Sequence, residues 1–303
     1  MVKAIQYLIH WKHAAISIKV QAPLFAYLCL KFLRMKYIIP LFALLTFPTL
    51  LFVSCSDSSA KGKGEKGLVL PKKDTSALKK VPINLDGKQS KEKVQLAFTP
   101  QKGNKKTIAL TMKSIFGKDV LLMTFTSEMQ VTDRLSNGDV LTQTKILDIH
   151  AKTNEAEIDA KTSKQLQPLM NGFSYVTYNR LGKVLSMKAD NPELDAQFKS
   201  NQSNGFMPEF PSKVLGVGDS WEQTNKQVIQ QQEITIKYTY FVRAINPESV
   251  ALELRANVFN QEKEIFTIQG MIETDRKTGF PMHGNLEQKV KGMGTNYVNL
   301  TVR

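Results

Sequence analysis

Cysteine is almost absent from this 303-residue chain, and its scarcity excludes two classes of protein. The two cysteines are Cys29 and Cys55, which are too few for a disulfide framework or for a set of thiolate metal ligands. Histidine is nearly as rare, and only His150 and His283 lie beyond residue 91. Two histidines with scattered acidic residues make a poor metal centre, so we predict no metal and no cofactor.

Sequence motifs of catalysis are also missing. No Gly-x-Ser-x-Gly segment occurs, which argues against the serine hydrolases that place their nucleophile on such a turn. Gly216-Val217-Gly218 lacks the third glycine of a dinucleotide-binding loop and leads into a predicted strand, so we interpret it as a turn. The chain is therefore predicted not to be an enzyme.

The net charge of +14 lies mostly outside the body of the chain. Residues 1–54 carry +6 and residues 55–91 carry +5, which leaves only +3 on residues 92–303. Because a nearly balanced body offers no broad basic face, we do not expect it to bind nucleic acid.

The apolar stretch before Cys55 has the pattern of an export signal. Lys36 precedes an apolar run from Tyr37 to Val53, and the small residue Ser54 follows it. The run contains two prolines and ends at a cysteine, which favours a cleaved signal over a permanent membrane span. Residues 35–54 are therefore predicted to be a signal peptide.

The end of this signal, Phe52-Val53-Ser54-Cys55, resembles the lipobox of bacterial lipoproteins. The resemblance implies that the Cys55 thiol receives a diacylglyceryl group, that the signal is cut before Cys55 and that the new amino terminus is acylated. Phe52 stands where leucine is usual, and such relaxed boxes are typical of Bacteroides-like bacteria. Two or three acyl chains suffice for stable anchoring. The alternatives are an ordinary cleaved signal with an incidental cysteine and an uncleaved anchor.

The segments that flank the signal are less informative. Residues 1–34 are interpreted as lying upstream of a true start at Met35, with an extended leader as the alternative. Residues 55–91 are rich in lysine and poor in large apolar residues, so we predict a disordered tether. By resemblance, serine at position 56 instead of aspartate favours the outer membrane, on its periplasmic side, with the cell surface as the alternative.

From residue 92 to residue 303 the chain has the two-residue period of β-strands. Leu252 to Val258, for example, alternates apolar and polar residues without a break, and Asn137-Gly138 is a strong hairpin signal. Short turns join the strands, so we predict one mainly β domain: a long-stranded antiparallel sheet, curved into a half-barrel or open barrel. Two short helices, near 163–172 and 190–200, are expected to cover its concave face.

Two patterns concern the body as a whole. Residues 93–188 and 212–303 are considered as a weak duplication, although they share no motif. Phe210 to Glu222, with Val-Gly-Asp-Ser-Trp within it, and Lys277 to Pro281 resemble an uncharacterised family of Bacteroides-type lipoproteins with a β-rich domain. This resemblance implies a β-rich fold and a location in the cell envelope, and it implies no activity.

Three side chains of the body are candidates for contact with a ligand. Trp221 begins a predicted strand and is interpreted as a core aromatic, with stacking on a ligand as the alternative. Asp148 and His150 share one strand face and can orient each other, but a general base also needs a nucleophile or a metal.

The nine methionines of the body are expected in the core, with the lining of a lipid or peptide groove as the alternative.

The sequence therefore predicts a non-catalytic lipoprotein of the cell envelope. Its expected partners are the membrane, through the lipid on Cys55, and a hydrophobic ligand or another envelope protein at the sheet. One alternative is a hydrolase of envelope polymers that uses Asp148, His150 or paired acids such as Glu155 and Glu157. The other alternative is a structural or assembly subunit.

Overall fold

The computed structural model describes the body of the chain and the last part of the predicted tether. The described residues are 77–117, 119–153, 157–159, 167–192, 194–195, 198, 207–229, 232–290, 292 and 294–303. The leader and Cys55 lie outside these ranges. Within them, no helix combines the length and the apolar character needed to cross a membrane.

Fourteen antiparallel strands account for most of the described residues, and the prediction of a mainly β domain is confirmed. The described ranges contain no helix of seven or more residues. The elements in chain order are a 3₁₀ turn (Asp86–Gln89), β1 (Lys93–Val94), β2 (Lys105–Phe116), β3 (Asp119–Arg134), β4 (Val140–Thr153), β5 (Glu157–Asp159), α1 (Gln167–Met170), β6 (Ser174–Tyr178), β7 (Val184–Ala189), β8 (Leu215–Gly216), β9 (Ser220–Ile229), β10 (Gln232–Ile245), β11 (Ser249–Asn260), β12 (Lys263–Asp275), β13 (Pro281–Val290) and β14 (Gly294–Val302).

Eleven of these strands form one continuous sheet. Their order is β7-β6-β4-β3-β2-β14-β13-β12-β11-β10-β9, and β5 pairs with the part of β4 that β6 leaves free. The end strands β7 and β9 do not pair with each other, so the sheet is not closed into a barrel. Strands β1 and β8 form a separate two-stranded ladder. The two halves of the chain are each an antiparallel meander and join where β2 pairs with β14; an internal duplication stays a prediction.

The hydrophobic core lies on one face of the sheet, because apolar residues recur at every second position. A single row of cross-strand partners shows how continuous this face is. The row consists of Met112, Val298, Leu286, Gly270, Leu254, Tyr240 and Trp221. The predicted hairpin at Asn137-Gly138 is confirmed between β3 and β4, where Gly138 adopts φ +88°.

Both predicted helical segments are found in part. Helix α1 places Leu169 in the core, and residues 160–166 lie outside the described ranges. In the second segment Pro192, Leu194 and Phe198 are helical, and the side chains of Leu194 and Phe198 belong to the core.

The segment from Val94 to Phe98 differs from its pattern. Its alternation predicted a strand, but only Lys93–Val94 is one, and it belongs to the small ladder with β8. Leu96 and Phe98 are nevertheless fully buried. The two-residue period was correct for burial and wrong for backbone pairing, since an extended segment can insert its side chains into a core without joining a sheet.

The backbone of this inserted segment bonds to two turns of the main sheet instead. Phe98 N donates to Arg180 O in the β6–β7 turn at 2.7 Å. Thr99 N donates to Thr278 O in the β12–β13 turn at 2.9 Å. Two consecutive residues thus connect turns that are far apart in the strand order.

Residues 79–87, which we call the strap, cross the outward face of the sheet. The strap belongs to the stretch interpreted as a tether, yet it makes specific hydrogen bonds. Asn285 Oδ1 accepts from Val81 N at 2.6 Å, and Asn285 Nδ2 donates to Val81 O at 2.7 Å, so one side-chain amide pairs with both backbone groups. Asn299 Nδ2 donates to Lys79 O at 2.7 Å. Residues 55–76 of the predicted tether lie outside the described ranges, and for them the tether stays a prediction.

The far end of the strap is held in a buried polar pocket. Asn246 Oδ1 accepts from Gly87 N at 2.8 Å, and its Nδ2 donates to Asn84 O at 3.1 Å. Glu273, 5% exposed, accepts a hydrogen bond from Ser249 Oγ at 2.6 Å. A Cβ at position 87 would lie 2.1 Å from the backbone O of Ile245, so only glycine allows the strap to approach so closely.

Candidate functional site

Asp148 and His150 form a pair on the outward face of β4. His150 Nε2 lies 2.8 Å from Asp148 Oδ2, and the side chains are 53% exposed for His150 and 36% for Asp148. Their register partners on β3 are Thr126 and Thr124. An exposed pair is not shielded from water, and shielding is what strengthens the electrostatics of a catalytic base. The geometry fits a surface pair better than a catalytic one.

Trp221 packs as a core aromatic with one polar contact. Its ring stacks on Tyr240 with centroids 4.9 Å apart, and Tyr240 stacks on Tyr238 at 6.1 Å. The indole Nε1 donates to Glu209 O at 2.9 Å. Burial, with smaller contributions from Tyr238 and Glu209, raises the pKa of Tyr240 well above its ordinary value, so this phenol stays neutral. Since Tyr240 already covers one face of the indole, that face has no room for a ligand.

The remaining predicted residues cannot be placed in a site. Cys55 and Glu155 lie outside the described residues, and so does the side chain of Glu157. Across the described ranges, no three His, Cys, Asp or Glu side chains are grouped so that they could hold a metal ion.

A short row of polar side chains lies inside the apolar face of the sheet. Ser114 on β2, Asn296 on β14 and Gln288 on β13 are cross-strand neighbours, and each is at most 1% exposed. Asn296 Nδ2 donates to Gln288 Oε1 at 3.1 Å. Ser114 Oγ, Asn296 Oδ1 and Gln288 Nε2 find no partner in the described part of the chain.

Buried polar atoms without a hydrogen-bond partner lower the stability of the fold, and three of them lie side by side in this row. A buried polar group without a partner costs about 1–3 kcal/mol. In native proteins such groups are usually completed by ordered water or by a ligand. The row is therefore a polar strip within the core face.

A cavity of about 240 Å³ lies at one end of the sheet, where β2 and β13 begin and β12 and β14 end. It opens beside the inserted segment, since Pro100 is part of its wall. Lys106, Asn104 and Asp275 contribute polar groups to the wall. The apolar lining includes Met129, Val131, Phe280, Pro281, Met282 and Val302.

Besides Met129, Met282 and residues of the Lys277–Pro281 motif, the cavity brings together residues that no sequence pattern marked as a site. Met129 and Met282 are 153 positions apart in the chain and meet only because β14 pairs with β2. One signal was present in the sequence. Lys106 has the same parity as Ile108 and Leu110, so a charged residue occupies the apolar face of β2.

Comparisons with known proteins identify no family for this chain. A scan against protein-family models found no match, and a search of curated proteins found no relative. The resemblance to Bacteroides-type lipoproteins therefore stays a prediction from the motifs that carry it.

Proposed function

We propose that the chain is a lipoprotein of the bacterial envelope whose β domain binds a small apolar molecule without catalysis. The observation that carries the binding function is the cavity of about 240 Å³. An apolar cavity of about 150 Å³ is large enough to bind benzene, whereas drug-sized sites start at about 300 Å³. A single ring or a short alkyl chain therefore has the right size for this cavity.

We propose that the sheet is curved around the cavity. The hydrogen bonds of Phe98 and Thr99 support this curvature. Four strands lie between β6 and β13 in the sheet order, and strands are spaced by about 4.8 Å, so a flat sheet would separate the two by about 24 Å. Phe98 and Thr99 are consecutive, yet they bond to Arg180 after β6 and to Thr278 before β13. A half-barrel, curved around these two residues, accounts for both bonds.

The position of the cavity favours binding over hydrolysis. Lys106, Met129 and Val302 lie on the inward face of their strands, whereas Asp148 and His150 lie on the outward face of β4. The pair that a hydrolase would use therefore faces away from the cavity. The methionines Met129 and Met282 suit the binding of an apolar molecule, because their flexible side chains adapt to the shape of their contacts.

We propose that the lipid on Cys55 holds this domain on the periplasmic side of the outer membrane. Replacing Cys55 by serine is expected to abolish incorporation of an alkyne-tagged fatty acid and to move the protein out of the outer-membrane fraction, because without a lipidated cysteine the signal stays uncut and the acyl anchor is missing. Cell fractionation and fluorescent detection of the tag measure both effects. Ser58→Ala, a substitution just beyond the lipobox that leaves Cys55 intact, is the control and is expected to keep tag and anchor. Continued labelling of the Cys55→Ser variant would rule out this lipidation site.

Ligand binding can be measured through the NMR signals of methionine methyl groups that line the cavity. In the full chain, labelled with ¹³C at the methionine methyl groups and held in lipid nanodiscs, benzyl alcohol is expected to shift the Met129 and Met282 signals. The signals of Met170 and Met187, which do not line the cavity, are expected to stay in place. Because the reporter is a methyl group in the cavity wall, partition of the probe into lipid does not interfere.

A cavity-filling variant shows whether these shifts come from the cavity. Val302→Phe adds a ring to the lining and is expected to remove the shifts, whereas Thr301→Phe adds the same ring one position away, on the other face of β14. If benzyl alcohol and benzoate both leave Met129 and Met282 unshifted, or if Val302→Phe responds as the unmodified chain does, the proposed binding function is wrong.

A further inference from the structure

We infer that the ligand of this cavity is a small organic anion, a monocarboxylate with an apolar body, whose carboxylate pairs with Lys106. The inference rests on the proposed binding function and adds the chemical class of the ligand.

Lys106 occupies a position that the pattern of β2 reserves for apolar residues. Its register partner is Met129, a buried residue of the core face, and the next residue on the same face of β2 is the buried Ile108. Lys106 itself is exposed and belongs to the cavity wall. Its ammonium group can therefore reach solvent at the mouth while the alkyl stem lies along the apolar lining.

The neighbouring lysines have acidic partners, and Lys106 has none in the described ranges. Lys102 Nζ lies 3.0 Å from Asp133 Oδ1, and Lys105 Nζ lies 3.5 Å from Glu128 Oε1. Lys105 is adjacent to Lys106 but points to the opposite face of the strand. The unused positive charge is thus the one beside the cavity. The side-chain amide of Asn104, also in the wall and without a described partner, adds a neutral donor.

The acidic residue of the wall, Asp275, is already engaged in its own turn. Asp275 Oδ1 accepts hydrogen bonds from Thr278 N at 2.7 Å, from Thr278 Oγ1 at 2.8 Å and from Lys277 N at 3.0 Å. Its charge is therefore partly satisfied by the β12–β13 turn, whereas the three donors of Lys106 are not. An anion with an apolar body satisfies Lys106 and fills the lining at once.

The test compares benzoate with benzamide, its neutral counterpart of nearly the same shape. In low-salt buffer, titration of the full chain in nanodiscs is expected to give a Kd for benzoate about threefold to tenfold lower than for benzamide, read from the Met129 and Met282 methyl signals. Lys106→Gln is expected to raise the benzoate Kd to that of benzamide and to leave benzamide unchanged. Lys106→Arg keeps the charge and is expected to retain the preference.

The matched control is Lys105→Gln, which removes a lysine one residue away from the opposite face and is expected to leave both values unchanged. Equal affinity for benzoate and benzamide, or tighter binding of benzylamine than of benzoate, would overturn the inference while leaving the binding function intact. The absence of methyl shifts with every probe would instead remove the binding function and the inference together.

Discussion

Replacing Phe98 by alanine is expected to lower the free energy of unfolding by about 3–5 kcal/mol. Phe98 is fully buried, and its ring centroid lies 5.0 Å from that of Tyr178 and 5.9 Å from that of Phe280. The truncation removes both ring contacts and leaves a void between strands from the two halves of the sheet. Pulse proteolysis of the full chain across a urea series measures the change, because it reads the folded fraction in the presence of lipid.

Two control variants are compared with Phe98→Ala. Leu135→Ala removes a large apolar side chain that is 43% exposed in the β3–β4 turn and is expected to change stability by less than about 0.5 kcal/mol. Phe98→Leu keeps most of the buried volume and is expected to cost less than Phe98→Ala. A loss below about 1 kcal/mol for Phe98→Ala would contradict the role of the inserted segment as part of the core.

Replacing Gly279 by alanine is expected to be nearly as damaging, for two separate reasons. Gly279 adopts φ +69°, a conformation that costs a residue with a Cβ about 1–3 kcal/mol. A Cβ there would also lie 2.4 Å from the backbone O of Ala97 and 2.8 Å from Cε2 of Phe210, and overpacking of this kind costs about 1–3 kcal/mol more. The expected loss is about 2–6 kcal/mol in the same urea series.

The matched control separates the two contributions. Gly117 adopts a similar φ, +59°, but a Cβ there would meet nothing within 4 Å. Gly117→Ala is therefore expected to show the backbone cost alone, about 1–3 kcal/mol. If the two variants lose equal stability, the close approach of Ala97 and Phe210 to Gly279 does not contribute. The comparison thus tests the contact that holds the inserted segment against the β12–β13 turn.

The strands themselves could be predicted because their signal is local. Leu252 to Val258 alternates without a break, and the alternation alone placed it in a strand with one apolar face, which β11 confirms. The Asn137-Gly138 turn was equally readable, since the positive φ that the turn needs at Gly138 favours glycine. Val94 to Phe98 has the same alternation but joins no long strand. Alternation predicts which side chains are buried, and it does not predict which strand the backbone will pair with.

The strap was harder to recognise because its stabilising partners are distant in sequence. Lys79, Val81 and Gly87 lie in a lysine-rich stretch with the composition of a disordered chain. The groups that hold it are side-chain amides about 160 to 220 positions away, among them Asn285 and Asn246. Composition averages over such contacts, so a segment ordered by a few long-range hydrogen bonds looks the same as a free tether.

The candidate site shows the same division. Trp221, Asp148 and His150 stood out as unusual residue types, but Trp221 is packed on Tyr240 and the other two lie on the exposed face of β4. The cavity gathers ordinary residues from both halves of the chain, and Lys106 was visible only as a break in the apolar parity of β2. Residue type alone therefore did not point to the cavity.

The sequence by itself determined most of the strands and the residues that share each face, because these depend on patterns within about ten neighbouring positions. The lipid anchor at Cys55 is predicted from a pattern of the same short range. Only the tertiary structure decided that β2 pairs with β14, that Phe98 joins two distant turns and that Lys106 shares the wall of a cavity with Met129 and Met282. The physical reason is that a two-residue period sets the direction of each side chain, whereas the order of the strands sets which side chains meet.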